Sequence, residues 1–430
     1  FMTTENTTED TPQVDNSNRN YTLFILVLIY ASSHVDRQIV SILAESIKID
    51  LNLSDSQLGF LIGLSFALFY ATLGIPIALL ADRSNRRNII GISVIIWSFM
   101  TALSGFATNF LQLALARIGV GIGEAGSSPP SHSMIADMFP LEQRAAAMGV
   151  FASGLNLGIL IGFLVGGWIN EFYGWRVAFF IVGIPGLLLG LVMIFTVKEP
   201  IRSTPKQPMP KNIPREIWEC FMLMLSIPSQ RHILIGCTVV VFVGYGTLYW
   251  NGVYFIRTLG LSSGEAGTIL ALCGGVIGGI GTFFGGWLSD KLAKRDRKYY
   301  VLVTAISKLA IVPIVVTFYM TTNIWTAVSL LAFISFFSGF YLPSSFAMTQ
   351  SLMPPEKRAL ASALLLFMIN IIGLGLGPFL VGIISDALAP TQGDNSLRYA
   401  LAIMATLNIW GSAHYFLAGR TIAEDLKTHN

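Results

Sequence analysis

The sequence predicts an all-α integral membrane protein, with twelve transmembrane helices arranged as two pseudo-symmetric halves of six. Three observations carry this. The chain of 430 residues is 53% hydrophobic and only 12% charged, with a mean hydropathy of +0.65, a surface too apolar for water. Apolar stretches of about 20 residues, each able to cross a hydrocarbon core of ~30 Å, recur along its whole length. The two halves also repeat each other: Leu53-Ser54 with Gly59 returns as Leu261-Ser262 with Gly267, and Ala81-Asp82-Arg83 as Ser289-Asp290-Lys291, each 208 positions on. Pro140-Leu-Glu-Gln-Arg144-Ala145 returns as Pro354-Pro-Glu-Lys-Arg358-Ala359 at an offset of 214, as expected after a small insertion.

The elements follow in chain order. Residues 1–20 are polar and acidic, rich in Thr and Asn, and lack a basic leader, so they read as a disordered tail and not a signal peptide. Apolar spans follow near 21–44, 57–80, 88–107, 110–137, 145–169 and 177–197, which form an N-terminal bundle over 21–197. Residues 198–231 carry Pro200, Pro205, Pro208, Pro210 and Pro214 and break the hydrophobic rhythm, as a linker with a short interfacial helix around Ile217 to Leu225 would. The C-terminal bundle over 232–419 takes the spans near 232–256, 265–288, 299–320, 324–351, 359–385 and 397–419, and a tail closes the chain at 420–430. Cys220, Cys237 and Cys273 have no ligand spacing and imply neither a metal site nor a disulfide framework.

Short loops rich in Lys and Arg resist translocation. Arg83, Arg86, Arg87, Arg144, the run from Lys198 to Arg231, the cluster from Lys291 to Lys298, Lys357 and Arg358 all fall on one side, against Lys48, Arg176, Arg257 and Arg398 on the other. Both termini are therefore expected in the cytoplasm of a cell whose inner (plasma) membrane holds the protein.

Four charges stand deep inside spans of the N-terminal half. A charged side chain at mid-bilayer costs ~2.5–3.5 kcal/mol even on lenient insertion scales, so it normally faces water or a partner. Asp36 and Arg37 in the first span and Arg117 and Glu124 in the fourth are such residues, and their equivalents in the second half are neutral: Gly244, Tyr245, Leu331 and Ser338. The second half offers Tyr245, Tyr249, Trp250 and Tyr254 in its first span and Phe336, Phe337, Phe340 and Tyr341 in its fourth. A cavity with charge on one wall and aromatics on the other suits an amphipathic anion held at the seam between repeats.

Arg117 and Glu124 lie seven apart, two turns along one face, and project into the same space. Burial and a neighbouring Arg pull the protonation of a carboxylate in opposite directions, and a guanidinium binds phosphate or carboxylate in bidentate fashion. The expected mechanism is therefore an exchange of partners. Asp36 and Glu124 take protons and release Arg37 and Arg117 to substrate, with Tyr245, Tyr249, Trp250 and Tyr341 as the aromatic wall. The bland alternative is a salt-bridge cluster that holds the first and fourth helices together.

Several motifs resemble signatures of the major facilitator superfamily: Asp82-Arg83-x-x-Arg86-Arg87, Gly286-x-x-x-Asp290-Lys291, Arg117-x-x-x-Gly121 and the glycine ladder Gly154, Gly158, Gly162, Gly166-Gly167. Asp36-Arg37 with Arg117 and Glu124 resemble, within it, the spinster family of lysolipid and sphingosine-phosphate transporters, and its bacterial members in particular. Ala78 and Ile159 depart from the loop and fifth-helix patterns. The resemblance implies a twelve-helix major facilitator fold, alternating access, and a gating latch at the cytoplasmic helix ends built from Asp82, Arg83, Arg86, Arg144, Asp290, Lys291 and Arg358. Plain topology signals also suffice for Arg86 and Arg87.

Other patterns are discounted. Gly121-x-Gly123-x-x-Gly126 spells a dinucleotide fingerprint but sits inside an apolar helix with no strand before it. His132 and Asp137 match an acyltransferase spacing, yet five residues along a helix place them on different faces, and Pro129-Pro130 signal a local kink. Lys308 is expected to sit on a peripheral helix and snorkel. The reading is a proton-coupled or proton-gated carrier of an amphipathic anion, a lysophospholipid or sphingolipid-like lipid, with an exporter of small organic anions or drugs as the alternative. A membrane acyltransferase or a non-transporting receptor ranks behind. It implies no enzyme activity, no cofactor beyond the proton, no metal, no nucleic-acid partner and a monomer among membrane lipids.

Overall fold

The computed structural model describes residues 16–81, 83–202 and 212–428, and among them every regular element is helical. Ten helical stretches are long and apolar enough to cross a membrane. The last of these, Pro355–Lys427, is two spans folded at Gly393, whose φ of 55° takes the chain into the left-handed region. The fourth span is not among the ten because it is broken into Phe110–Glu124 and Ser128–Met138. Twelve spans result among the described residues. The first helix starts at Asn16, inside the stretch expected to be a tail, and Ile213–Ser226 forms the helix expected in the linker. Residues 1–15 and 203–211 of those two segments lie outside the described residues.

The repeat in the sequence is a repeat of helix starts. Ser54 and Ser262 are both N-caps of reciprocal capping boxes, closed by Gln57 and Glu265 respectively, and they open the second and eighth spans. Each of these spans then widens into a π-helical stretch, Phe60–Leu64 and Ala271–Ile277, and a third lies at Ile369–Leu376 in the eleventh span. Pro140 and Pro354 of the third echo are likewise cap residues, ahead of the fifth and eleventh spans.

Glycines set the spacing of the helices that carry the site. A side chain at Gly158 would meet the Ala31 carbonyl oxygen at 2.5 Å, and one at Gly154 the Val27 carbonyl oxygen at 2.9 Å. The fifth-span ladder thus lets the first span lie flat against it. The same logic joins the halves at Gly167 and Gly267, where an added Cβ would sit 2.4 Å from the Ser263 oxygen and 2.3 Å from the Phe163 oxygen. Gly267→Ala should therefore loosen this crossing by about 1–3 kcal/mol, read as a lower melting temperature in detergent and longer spin-label distances between the fifth and eighth spans.

The hydrogen bonds that join the halves run from the middle of the bundle to the end opposite the chain termini. Ser41 Oγ donates to the Tyr249 carbonyl at 2.6 Å, Ser263 Oγ to the Gly167 carbonyl at 3.0 Å, and the Gly264 amide to Glu171 at 2.9 Å. Asp386 accepts from the backbone amides of Asp55 and Ser56 at 3.0 and 2.8 Å, capping the second span from the other half. This far end is the sealed end.

Candidate functional site

Arg37 leaves the first span and reaches Glu124 on the fourth, donating from Nε and Nη2 to Glu124 Oε2 at 2.9 and 2.7 Å. The Glu124 side chain is fully buried and that of Arg37 is 10% exposed. The Arg37 guanidinium is also walled by aromatics, 4.8 Å from the ring centre of Phe66 and 4.6 Å from that of Tyr70. Glu124 is the last residue of its helix. The break that follows is closed by Ser127, whose amide and Oγ both donate to the Glu124 carbonyl, and the helix restarts with Pro129 and Pro130 in its first turn.

Asp36 and Arg117 are buried in the same cluster, and Arg117 interacts electrostatically with both Asp36 and Glu124. Neither is fully satisfied. Among the described residues Asp36 Oδ1, Arg117 Nε and Nη1, and Glu124 Oε1 are buried without a hydrogen-bond partner. Buried polar atoms are normally paired, so four orphans in one cluster single it out as the candidate site.

Tyr249 from the seventh span is buried and lies within electrostatic reach of Arg37, Glu124 and Arg117. It stacks on Tyr245 with ring centres 5.7 Å apart. Neighbouring Gly244 is exposed, and a Cβ there would meet open space. Trp250 is instead fully buried and gives its indole N–H to the Pro378 carbonyl at 2.9 Å, which locks the seventh span to the eleventh. Tyr341 is half-buried beside Tyr245.

Lys308 departs from its expectation. It is not at a peripheral surface: it is 6% exposed, and its Nζ donates to the carbonyls of Ser338 and Phe337 at 2.7 and 3.3 Å. The ninth span is apolar all round, so no sequence pattern marks which face turns inward. Asp137, weighed as half of an acyltransferase pair, is committed to Arg86. The His132 ring stands edge-on to Phe151 at 5.2 Å.

Of the residues expected to gate the terminal end, Arg86, Asp290, Lys291 and Arg358 are engaged within their own halves. Arg86 is buried, paired with Asp137 and with Glu199 at 2.8 Å, so it is more than a topology signal. Asp290 accepts from Tyr300 at 2.9 Å, Lys291 lies 4.8 Å from the Trp287 ring centre, and Arg358 donates to the Met353 carbonyl at 3.2 Å. Arg83 is exposed and Arg144 half-buried, while Asp82 lies outside the described residues. Among the described residues, the ion pairs that join the halves are at the far end. Arg257 grips Glu45 at 2.7 Å and Asp55 at 2.8 Å, beside a Lys48–Asp55 pair at 2.6 Å. In the sequence Lys48 and Arg257 look like plain topology residues, because their partners come from other spans, a link that spacing does not show.

The family profile of the Major Facilitator Superfamily matches residues 26–378. The chain belongs to this superfamily. Its fold superposes on the crystal structure of a bacterial homologue of the human lysosomal transporter Spinster, in an inward-facing and unoccupied conformation, with a TM-score of 0.84, 30% identity, and coverage of 96% of this chain and 99% of that one. An MFS-type efflux pump of Mycolicibacterium smegmatis is 33% identical over 403 residues, 94% of this chain and 93% of that protein. The probable galactarate/D-glucarate transporter GudP of Bacillus subtilis is 27% identical over 423 residues, 91% and 90% of the two chains. The twelve-span architecture is thus that of a major facilitator transporter, similar to Spinster.

Proposed function

We propose that this transporter carries an anionic amphipath, a lysophospholipid or sphingolipid-like molecule, by alternating access between its two halves, with protons as the coupling or gating ion. The observation that supports this is the pairing of two buried arginines and two buried carboxylates on the N-terminal wall with Tyr245 and Tyr249 on the other. Arg117 holds two unpartnered N–H groups inside the protein, the requirement for accepting a phosphate or carboxylate without first breaking a bond. Arg37 is the held-back cation. A proton on Glu124 weakens its grip on Arg37, and a proton on Asp36 does the same for the field around Arg117. The two guanidiniums then become available to the anion, and the halves rock with substrate between them.

In this reading Tyr341 continues the aromatic wall, Trp250 stiffens it from behind, and Asp82, Arg83, Arg86, Arg144, Asp290, Lys291 and Arg358 close the terminal end when the far end opens. Both termini face the cytoplasm, the membrane is the inner one of a bacterium, and the protein works as a monomer without metal or further cofactor. A second reading, export of small organic anions or drugs, is favoured by the glucarate transporter and the efflux pump among the relatives, and it uses the same arginines without the lipid-sized wall.

Asp36→Asn tests the mechanism, since it keeps shape and removes the titrating oxygen. Uptake of a fluorescent lysophospholipid into proteoliposomes should lose its dependence on pH between about 5 and 8 and fall at least ~tenfold at its former optimum. Retained pH dependence in the variant would sink the proton role of Asp36. Transport of glucarate but of no lysolipid by the wild type would move the second reading to the front.

A further inference from the structure

Lys308 sits at the middle of the ninth span, Tyr299–Met320, and it is the one cation so placed in the C-terminal half among the described residues. It shares with Arg117, and not with three other buried cations, the lack of a carboxylate partner. Arg37, Arg86 and Arg257 each hold a carboxylate, whereas no ion pair is made by Lys308 among the described residues. Its partners are two backbone carbonyls where the tenth span breaks, after Ile324–Ser338 and before Tyr341–Leu352. A helix C-terminus supplies only about half a negative charge, so an ammonium there is not neutralised by its two carbonyls and has a third N–H to give, and an anion in reach would favour that protonated form. The break also places Tyr341 against it, with Nζ 5.1 Å from the ring centre. Tyr341 lies within electrostatic reach of Tyr245, and Tyr245 within reach of Arg37.

We propose that Lys308 is a second anion-binding group, on the wall facing Arg37 and Arg117, which takes a phosphate or carboxylate oxygen of the substrate. This rests on the reading of the protein as an anion carrier, and it narrows the substrate to one whose anionic groups are met from both halves: either a phosphomonoester lipid headgroup or a small dianion. Contact from both halves also gives the substrate leverage on their rocking, because an anion touching only one half has no differential affinity for the two arrangements.

The test is equilibrium binding to the purified full chain in nanodiscs. The probes are oleoyl lysophosphatidate, monooleoylglycerol as the same body without phosphate, and D-glucarate. Lys308→Met should weaken lysophosphatidate binding about tenfold or more, leave monooleoylglycerol within about twofold, and be rescued to within about threefold by Lys308→Arg. If Lys308→Met does not fold, Lys308→Gln keeps a donor to the Ser338 carbonyl without the charge and is expected to show the same selective loss. Unchanged lysophosphatidate binding, or an equal loss for both lipid probes without rescue by Arg, overturns the proposal and reduces Lys308 to a cap on the broken tenth span, while the lipid reading stands. Binding of glucarate alone by the wild type overturns the lipid reading, and Lys308 is then judged on glucarate by the same variants. Binding of none of the three overturns both.

Discussion

Glu124→Ala should destabilise the protein by about 3 kcal/mol and reduce transport at least ~100-fold. The cause is the charge it leaves behind. Arg37 is nearly fully buried and gives two of its donors to Glu124 Oε2, and removing one partner of a buried pair strands the other in a medium that does not solvate it. The double variant Arg37→Met with Glu124→Leu removes both charges and should recover most of the lost stability, measured by thermal unfolding in detergent. Transport should stay absent, because the recovered protein has lost an anion-binding group and a proton acceptor together. The cycle separates the two readings of the cluster. A double variant that is stable and transports normally would show that the pair only binds the first span to the fourth. One that is stable and inactive places the charges in the mechanism.

The parts of this site that were legible in the sequence are those that offend against their surroundings. Asp36, Arg37, Arg117 and Glu124 stand out because each is a charge in an apolar run, and their neutral counterparts in the repeat marked the asymmetry of the cavity. The repeated Leu-Ser pairs were legible as a duplication, though not as the capping boxes they prove to be. What stayed hidden depends on rotation and on long-range partners. A uniformly apolar ninth span does not say which way Lys308 turns, and Arg257 looks like an ordinary loop cation until Glu45 and Asp55 are brought to it from the other half. The break after Glu124 was half visible. Pro129 and Pro130 signalled a kink, but the residue whose carbonyl closes it is itself the buried acid, so the interruption of the helix and the placement of the charge are one feature.

Arg257→Ala should shift the balance between the two arrangements of the halves toward opening at the far end by about 2–3 kcal/mol, roughly 30- to 150-fold in population. Arg257 makes a fork that no other contact replaces: Nε to both oxygens of Glu45, Nη1 to Asp55, and Nη2 to both acids. Its side chain is only 12% exposed and that of Asp55 only 3%, so salt screens the pair weakly and the contact keeps most of its strength in solution. The acids freed by the substitution keep one cation, Lys48 on the first span, which bonds Asp55 within the same half; across the seam the Asp55 carboxylate keeps only the neutral Ser385 hydroxyl at 2.6 Å among the described residues, a weaker tie than the charged fork. Arg257→Lys keeps the charge but not the fork, and it should fall between wild type and alanine. Spin-label distances across the far end, between the first and seventh spans, read the shift directly. An unchanged distribution would mean that the seal rests on packing at Gly167 and Gly267 and on the Asp386 cap, with the ion pairs as passengers. In that case Gly267→Ala, not Arg257→Ala, should be the variant that opens the far end. The ranking of the two variants therefore decides whether charge or close packing sets the resting state.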